Sequence, residues 1–156
     1  MQTNEKIVEV LNDLIEINND RVQGYEKATQ ETKNLDVDLQ AIFNSLANDS
    51  RKYGAELTQE VNKLGGEAAR DTTTSGKIYR AWMDVKAAFS GHDRQSVLSS
   101  CEFGEDAAQM AYSSALASDA EMSAGVRKLI VDQQDTLKIA HSLIKKYRDL
   151  HQAVNA

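Results

Sequence analysis

Four stretches of the chain carry apolar residues at intervals of three and four, the spacing that gathers side chains on one side of an α-helix. The first runs Ile7, Leu11, Leu14, Asn18, then Arg21 or Val22, Tyr25 and Ala28; it predicts a helix over 4–32, with Thr3 and Asn4 as caps. The second runs Leu39, Ile42, Phe43, Leu46, then Asp49 and Ser50, then Tyr53, Glu56, Leu57, Val61 and Leu64. It predicts a helix over 36–64, entered through TKNLD, where Asn34 and Asp36 offer caps, and stopped by Gly65-Gly66. The third, Leu98, Cys101, Glu105, Ala108, Tyr112 and Ala115, predicts a helix over 93–117. The fourth carries Val126, Ile130, Gln133, Leu137, then Ala140 or His141, Ile144 and Tyr147, and predicts a helix over 121–151. Two entries into it compete: Ser118-x-x-Glu121 resembles a capping box, and Ser123 could cap instead.

The connections decide how these helices are arranged. The break between the first two is short, which makes them antiparallel neighbours. Residues 65–92 are different: a polar loop, GGEAARDTTTSG, precedes KIYRAWMDVKAAF, whose Ile78, Ala81 or Trp82, Val85 and Phe89 predict a short helix over 76–89. A connection of that length lets the second and third helices run parallel, and one such crossover is the ferritin-like arrangement. The expected fold is therefore all-α: one domain over 1–156, a ferritin-like four-helix bundle with a single long crossover between its second and third helices. Proline is absent from the sequence, in keeping with long uninterrupted helices.

Each apolar stripe is interrupted by a polar residue, and the antiparallel and parallel registers put four of these at one level: Asn18, Asp49 or Ser50, Glu105 and Gln133. Glu105 stands where an apolar side chain belongs, and a carboxylate facing a helical core needs partners. A second layer, nearer the first turn, groups Tyr25 and Glu26 with Cys101, Glu102 and His141. A third, toward the other end, groups Glu16 or Asp13 with Tyr53 or Glu56 and Tyr112. The carboxylates and imidazole of these layers make Glu26, Glu56, Glu102, Glu105 and His141 the candidate metal ligands, with iron or another divalent ion as the cofactor they would suit.

The segments LNDLIEINNDRVQGYEKA (11–28), ELTQEVNKLGGE (56–67), GKIYRAWMDVKAAFSG (76–91) and CEFGEDAAQMAY (101–112), with the helix around His141, resemble a bacterial family of ferritin-like bundles filed under a domain of unknown function. The resemblance implies the fold; that family has no established activity to transfer. Ferritin-like di-iron proteins take a Glu from each of two helices and a Glu-x-x-His from each of the other two. No Glu-x-x-His occurs in this chain.

Charge and motifs narrow the function classes. Eighteen Lys and Arg against 24 Asp and Glu give a net charge of −6, which argues against a nucleic-acid partner. A single cysteine excludes an intrachain disulfide. No apolar run approaches a membrane span, and the N-terminus lacks the pattern of a secretory signal, so a cytoplasmic location is expected. No nucleophile motif or phosphate loop is present, and catalytic residues are expected to be none. The expected function is a non-enzymatic bundle acting by assembly or protein interaction, as a homo-oligomer; the alternative is a ferritin-like metal protein with a degenerate carboxylate and histidine site. A small-molecule ligand, if there is one, is not identified by the residues.

Overall fold

The computed structural model describes residues 2–31, 37–70 and 94–155. Four helices account for most of them: α1 (Gln2–Glu31), α2 (Val37–Lys63), α3 (Arg94–Ala117) and α4 (Ala124–Asn155). The predicted short helix over 76–89 and the caps Asn34 and Asp36 lie outside the described residues. Helix α1 already includes Thr3 and Asn4, so neither stands before it as a cap.

Antiparallel packing follows from which residues meet. Between α1 and α2, Tyr25 lies against Phe43 with ring centroids 5.7 Å apart, and Ser50 Oγ donates to Asn18 Oδ1 at 3.0 Å. Between α1 and α3, Asn18 reaches Tyr112 while Arg21 reaches Glu105, so numbering rises on one helix as it falls on the other. Both α2 and α3 are thus antiparallel to α1, hence parallel to each other, as the long connection between them requires. Helix α4 runs back along α3 and touches α2 on its other side. The centre is filled by residues of the predicted stripes, among them Leu11, Leu14, Leu39, Phe43, Leu57, Leu98, Ile130 and Leu137, all buried. Each such side chain contributes roughly 1.5–3 kcal/mol of burial free energy.

Helix α2 ends in a glycine-dependent cap. Gly65 has a φ of +77°, the Gly66 N–H donates to the Val61 carbonyl at 3.0 Å, and the Gly65 N–H donates to the Asn62 carbonyl at 3.0 Å. These paired bonds satisfy carbonyls that the helix end would leave open. A Cβ at Gly66 would sit 2.8 Å from the Val8 side chain, so α1 closes over the turn. The chain then leaves across α1, where Asn12 clamps it: its Oδ1 accepts from the Ala69 N–H at 2.8 Å and its Nδ2 donates to the Glu67 carbonyl at 3.0 Å.

The entry to α4 corrects the expected start at 121. Ser123 Oγ accepts from the Val126 N–H at 3.1 Å, and the helix begins at Ala124. Ser118 instead turns back, donating to the Ala115 carbonyl at 2.7 Å. The first-turn N–H of Val126 bonds Ser123 Oγ, so Ser123 is the residue that caps the helix.

Candidate functional site

Two polar clusters stand out, one sealed in the bundle centre and one on the seam between α3 and α4. The central cluster is built on Arg21 and Glu105, with side chains 1% and 0% exposed. Arg21 donates through Nε and Nη2 to Glu105 Oε1, at 2.9 and 2.6 Å. The Tyr25 hydroxyl donates to the same oxygen at 2.5 Å, and Arg21 Nη1 donates to Ser50 Oγ at 2.5 Å. The chain of bonds continues through Ser50 to Asn18, whose Nδ2 donates to the Tyr112 hydroxyl at 2.9 Å; that hydroxyl donates to Gln133 Oε1 at 2.6 Å. Gln133 Nε2 lies 3.3 Å from Glu56 Oε1 and 3.4 Å from the Tyr53 carbonyl. Glu105 Oε2 has no hydrogen-bond partner among the described residues.

Burial and the Arg21–Glu105 pair shift several of these groups. Burial alone would lower the Arg21 pKa, but Glu105 and the surrounding groups outweigh it and hold the guanidinium charged. Burial, reinforced by the Glu105 charge, pushes the Tyr25 phenol and the Cys101 thiol well up. Tyr112 is also raised, chiefly by burial. Arg21 also stacks over the Tyr25 ring, 5.4 Å from its centroid.

This centre does not fit the two-metal arrangement of ferritin-like di-iron proteins. The carboxylate at its heart is Glu105, and the guanidinium of Arg21 is already bonded to it where a cation would have to sit. Glu26, a candidate ligand, is on the surface paired with Arg51. Glu56 is half-buried beside Gln133. Neither reaches the others.

The structure decides between Asp49 and Ser50 and shifts Gln133 from the expected level. Ser50, not Asp49, is the α2 residue that enters the cluster; Asp49 is half-buried on the flank. A hydroxyl can accept from Arg21 and donate to Asn18 at once, whereas a second carboxylate would add a buried charge without a counterion. Gln133 meets Tyr112 rather than Glu105, so the cluster is stepped along the axis instead of flat. The later start of α4 accounts for part of this slide.

The seam cluster is where candidate ligands do converge. Glu102 and Asp106 are one turn apart on α3, and His141 faces them from α4. One ligand atom from each lies within 4.8 Å of the other two. His141 Nε2 and Asp106 Oδ1 are 2.6 Å apart. Glu102 is also ion-paired with Arg148, whose Nη2 and Nε contact Asp149 Oδ1 at 2.9 and 3.3 Å. Glu102 and His141 were in the expected ligand set. Asp106 was not, because it lies outside the apolar stripe; the signal that finds it is its i, i+4 spacing from Glu102 on the edge facing His141.

The comparisons bear on the fold and the family. A family model described as a domain of unknown function (DUF2383) matches residues 6–118. The chain belongs to that family. Among solved structures, a mutant of Dps1 from Mycobacterium smegmatis matches with a TM-score of 0.79, covering 94% of this chain and 97% of that chain at 9% sequence identity. That likeness establishes the ferritin-like four-helix fold and nothing finer. A comparison with curated proteins gives no match. No helix among the described residues is long and apolar enough to cross a membrane.

Proposed function

We propose that this protein is a metal-binding ferritin-like bundle that takes a divalent first-row cation at Glu102, Asp106 and His141. The observation that carries the proposal is the convergence of three donors from two helices, two carboxylate oxygens and an imidazole nitrogen, within 4.8 Å. Ligands of one ion held at about 2.0–2.2 Å lie roughly 3 to 4 Å apart, so small torsional changes complete the set. Carboxylate and imidazole together suit iron, zinc or manganese. Three protein ligands leave positions for water, and the partly exposed seam gives the ion a path to solvent. The reading therefore replaces the core as the metal's place with the α3–α4 edge.

Anaerobic titration with Fe²⁺, and with Co²⁺ as a spectroscopic substitute, tests this. One ion per chain is expected, with affinity reduced by tenfold or more, about 1.4 kcal/mol, in His141→Ala and in Asp106→Ala. Glu26→Gln and Glu56→Gln should leave binding unchanged. Binding that survives His141→Ala, or no binding at millimolar metal, contradicts the proposal.

Assembly is a second reading, favoured by Phe103 and Met110. They are 50% and 61% exposed and seven residues apart, so they share the outward side of α3. Light scattering across a concentration series is expected to show a homo-oligomer; a strict monomer at high concentration contradicts this.

A further inference from the structure

We infer that Arg148 is a built-in competitor of the metal, occupying Glu102 when the ion is absent and yielding it when the ion binds. The inference rests on the metal reading above and adds a regulation to that site. Along the seam, α4 sets two side chains against two carboxylates: His141 against Asp106, and Arg148, roughly two turns further on, against Glu102. Glu102 belongs to both groupings, since its carboxylate lies within reach of Asp106 and His141 and also pairs with the guanidinium. Side-chain exposures of 14% for Glu102 and 23% for Arg148 keep this pair from full solvent screening.

The charges explain why a competitor belongs there. Without metal, Glu102 and Asp106 are like charges one turn apart on one helix, an arrangement that opposes the helix. Arg148 neutralises one of them. A divalent ion does the same job for both, and a guanidinium sharing Glu102 with it would meet its positive charge at close range. Arg148 has somewhere to go: its Nη2 and Nε already contact Asp149, so release from Glu102 does not strand the cation. The metal thus has to displace a resident ion pair, which lowers its affinity and speeds its release. The coupling is reciprocal, so whatever weakens the Arg148–Glu102 pair tightens the metal.

Co²⁺ titration of the 156-residue chain separates the possibilities. Arg148→Met keeps the length of the stem and removes the charge; it is expected to bind Co²⁺ about tenfold more tightly than the unaltered protein. Arg148→Lys, which retains a cation, should bind as the unaltered protein does. In Glu102→Gln the gain from Arg148→Met should vanish, because the competition passes through that carboxylate. As a direct readout, the Arg148 Nε–H resonance should move when metal is added to the unaltered protein. If the unaltered protein binds Co²⁺ through His141 but Arg148→Met binds no more tightly, the competitor role is overturned while the metal site stands. If none of the variants binds, both fall.

Discussion

Arg21 and Glu105 are the two residues whose burial most constrains the molecule. Removing one partner leaves an uncompensated charge in the core, so Glu105→Ala should cost about 3–5 kcal/mol in denaturant unfolding. Replacing both, as Arg21→Met with Glu105→Leu, should recover most of that loss. A second consequence concerns alkaline pH. Tyr25, Tyr112 and Cys101 all hold their protons more tightly in the folded state than their ordinary values of 10.0 for the phenols and 9.0 for the thiol. The unfolded chain therefore binds fewer protons above those values, and stability falls as pH rises through 9 to 10 and beyond. Phenolate absorbance from Tyr25 and Tyr112 is expected to appear together with loss of helical circular dichroism; ionisation of all five tyrosines before unfolding would contradict the burial. Glu105 was legible in the sequence because it broke an apolar stripe, and Asn18 and Gln133 for the same reason. The expectation left Ser50 and Asp49 open as alternatives, although Ser50 alone continues the four-three step from Leu46 to Tyr53 and is buried with them. Asp106 was missed because periodicity marks what faces a core, whereas this carboxylate meets its partner on a seam.

At the scale of the helices, ends were harder to read than faces. The Gly65-Gly66 stop was readable because a left-handed backbone position selects glycine, and the structure places φ +77° at Gly65. The entry to α4 offered two serines with similar credentials, and the bond from the Val126 N–H to Ser123 Oγ decides between them. Ser123→Ala should accordingly destabilise the protein by about 1 kcal/mol, the usual cost of losing an N-cap, while Ser118→Ala should change it by less than half as much. Thermal or denaturant midpoints of the two variants check this; equal losses would mean that the cap is shared. The α4 start also sets the register along α3. Starting at Ala124 carries Gln133 to Tyr112, and the same antiparallel run brings His141 to Asp106 and Arg148 to Glu102.

For the whole molecule, topology followed from connection lengths: a short break makes neighbours antiparallel, and a long one allows the second and third helices to run the same way. The ferritin-like match in shape at 9% identity agrees with that derivation. Function was less legible, because a fold that elsewhere houses metals in its centre is here closed by an arginine–glutamate pair, and the donors that do converge lie on the α3–α4 edge. The most direct measurement is the location of a bound metal: a crystal soaked in Co²⁺ or Mn²⁺, examined for anomalous scattering. The account predicts a peak between Glu102, Asp106 and His141, with Arg148 turned toward Asp149. A peak in the bundle centre beside Glu105, or none on the α3–α4 seam, would contradict it.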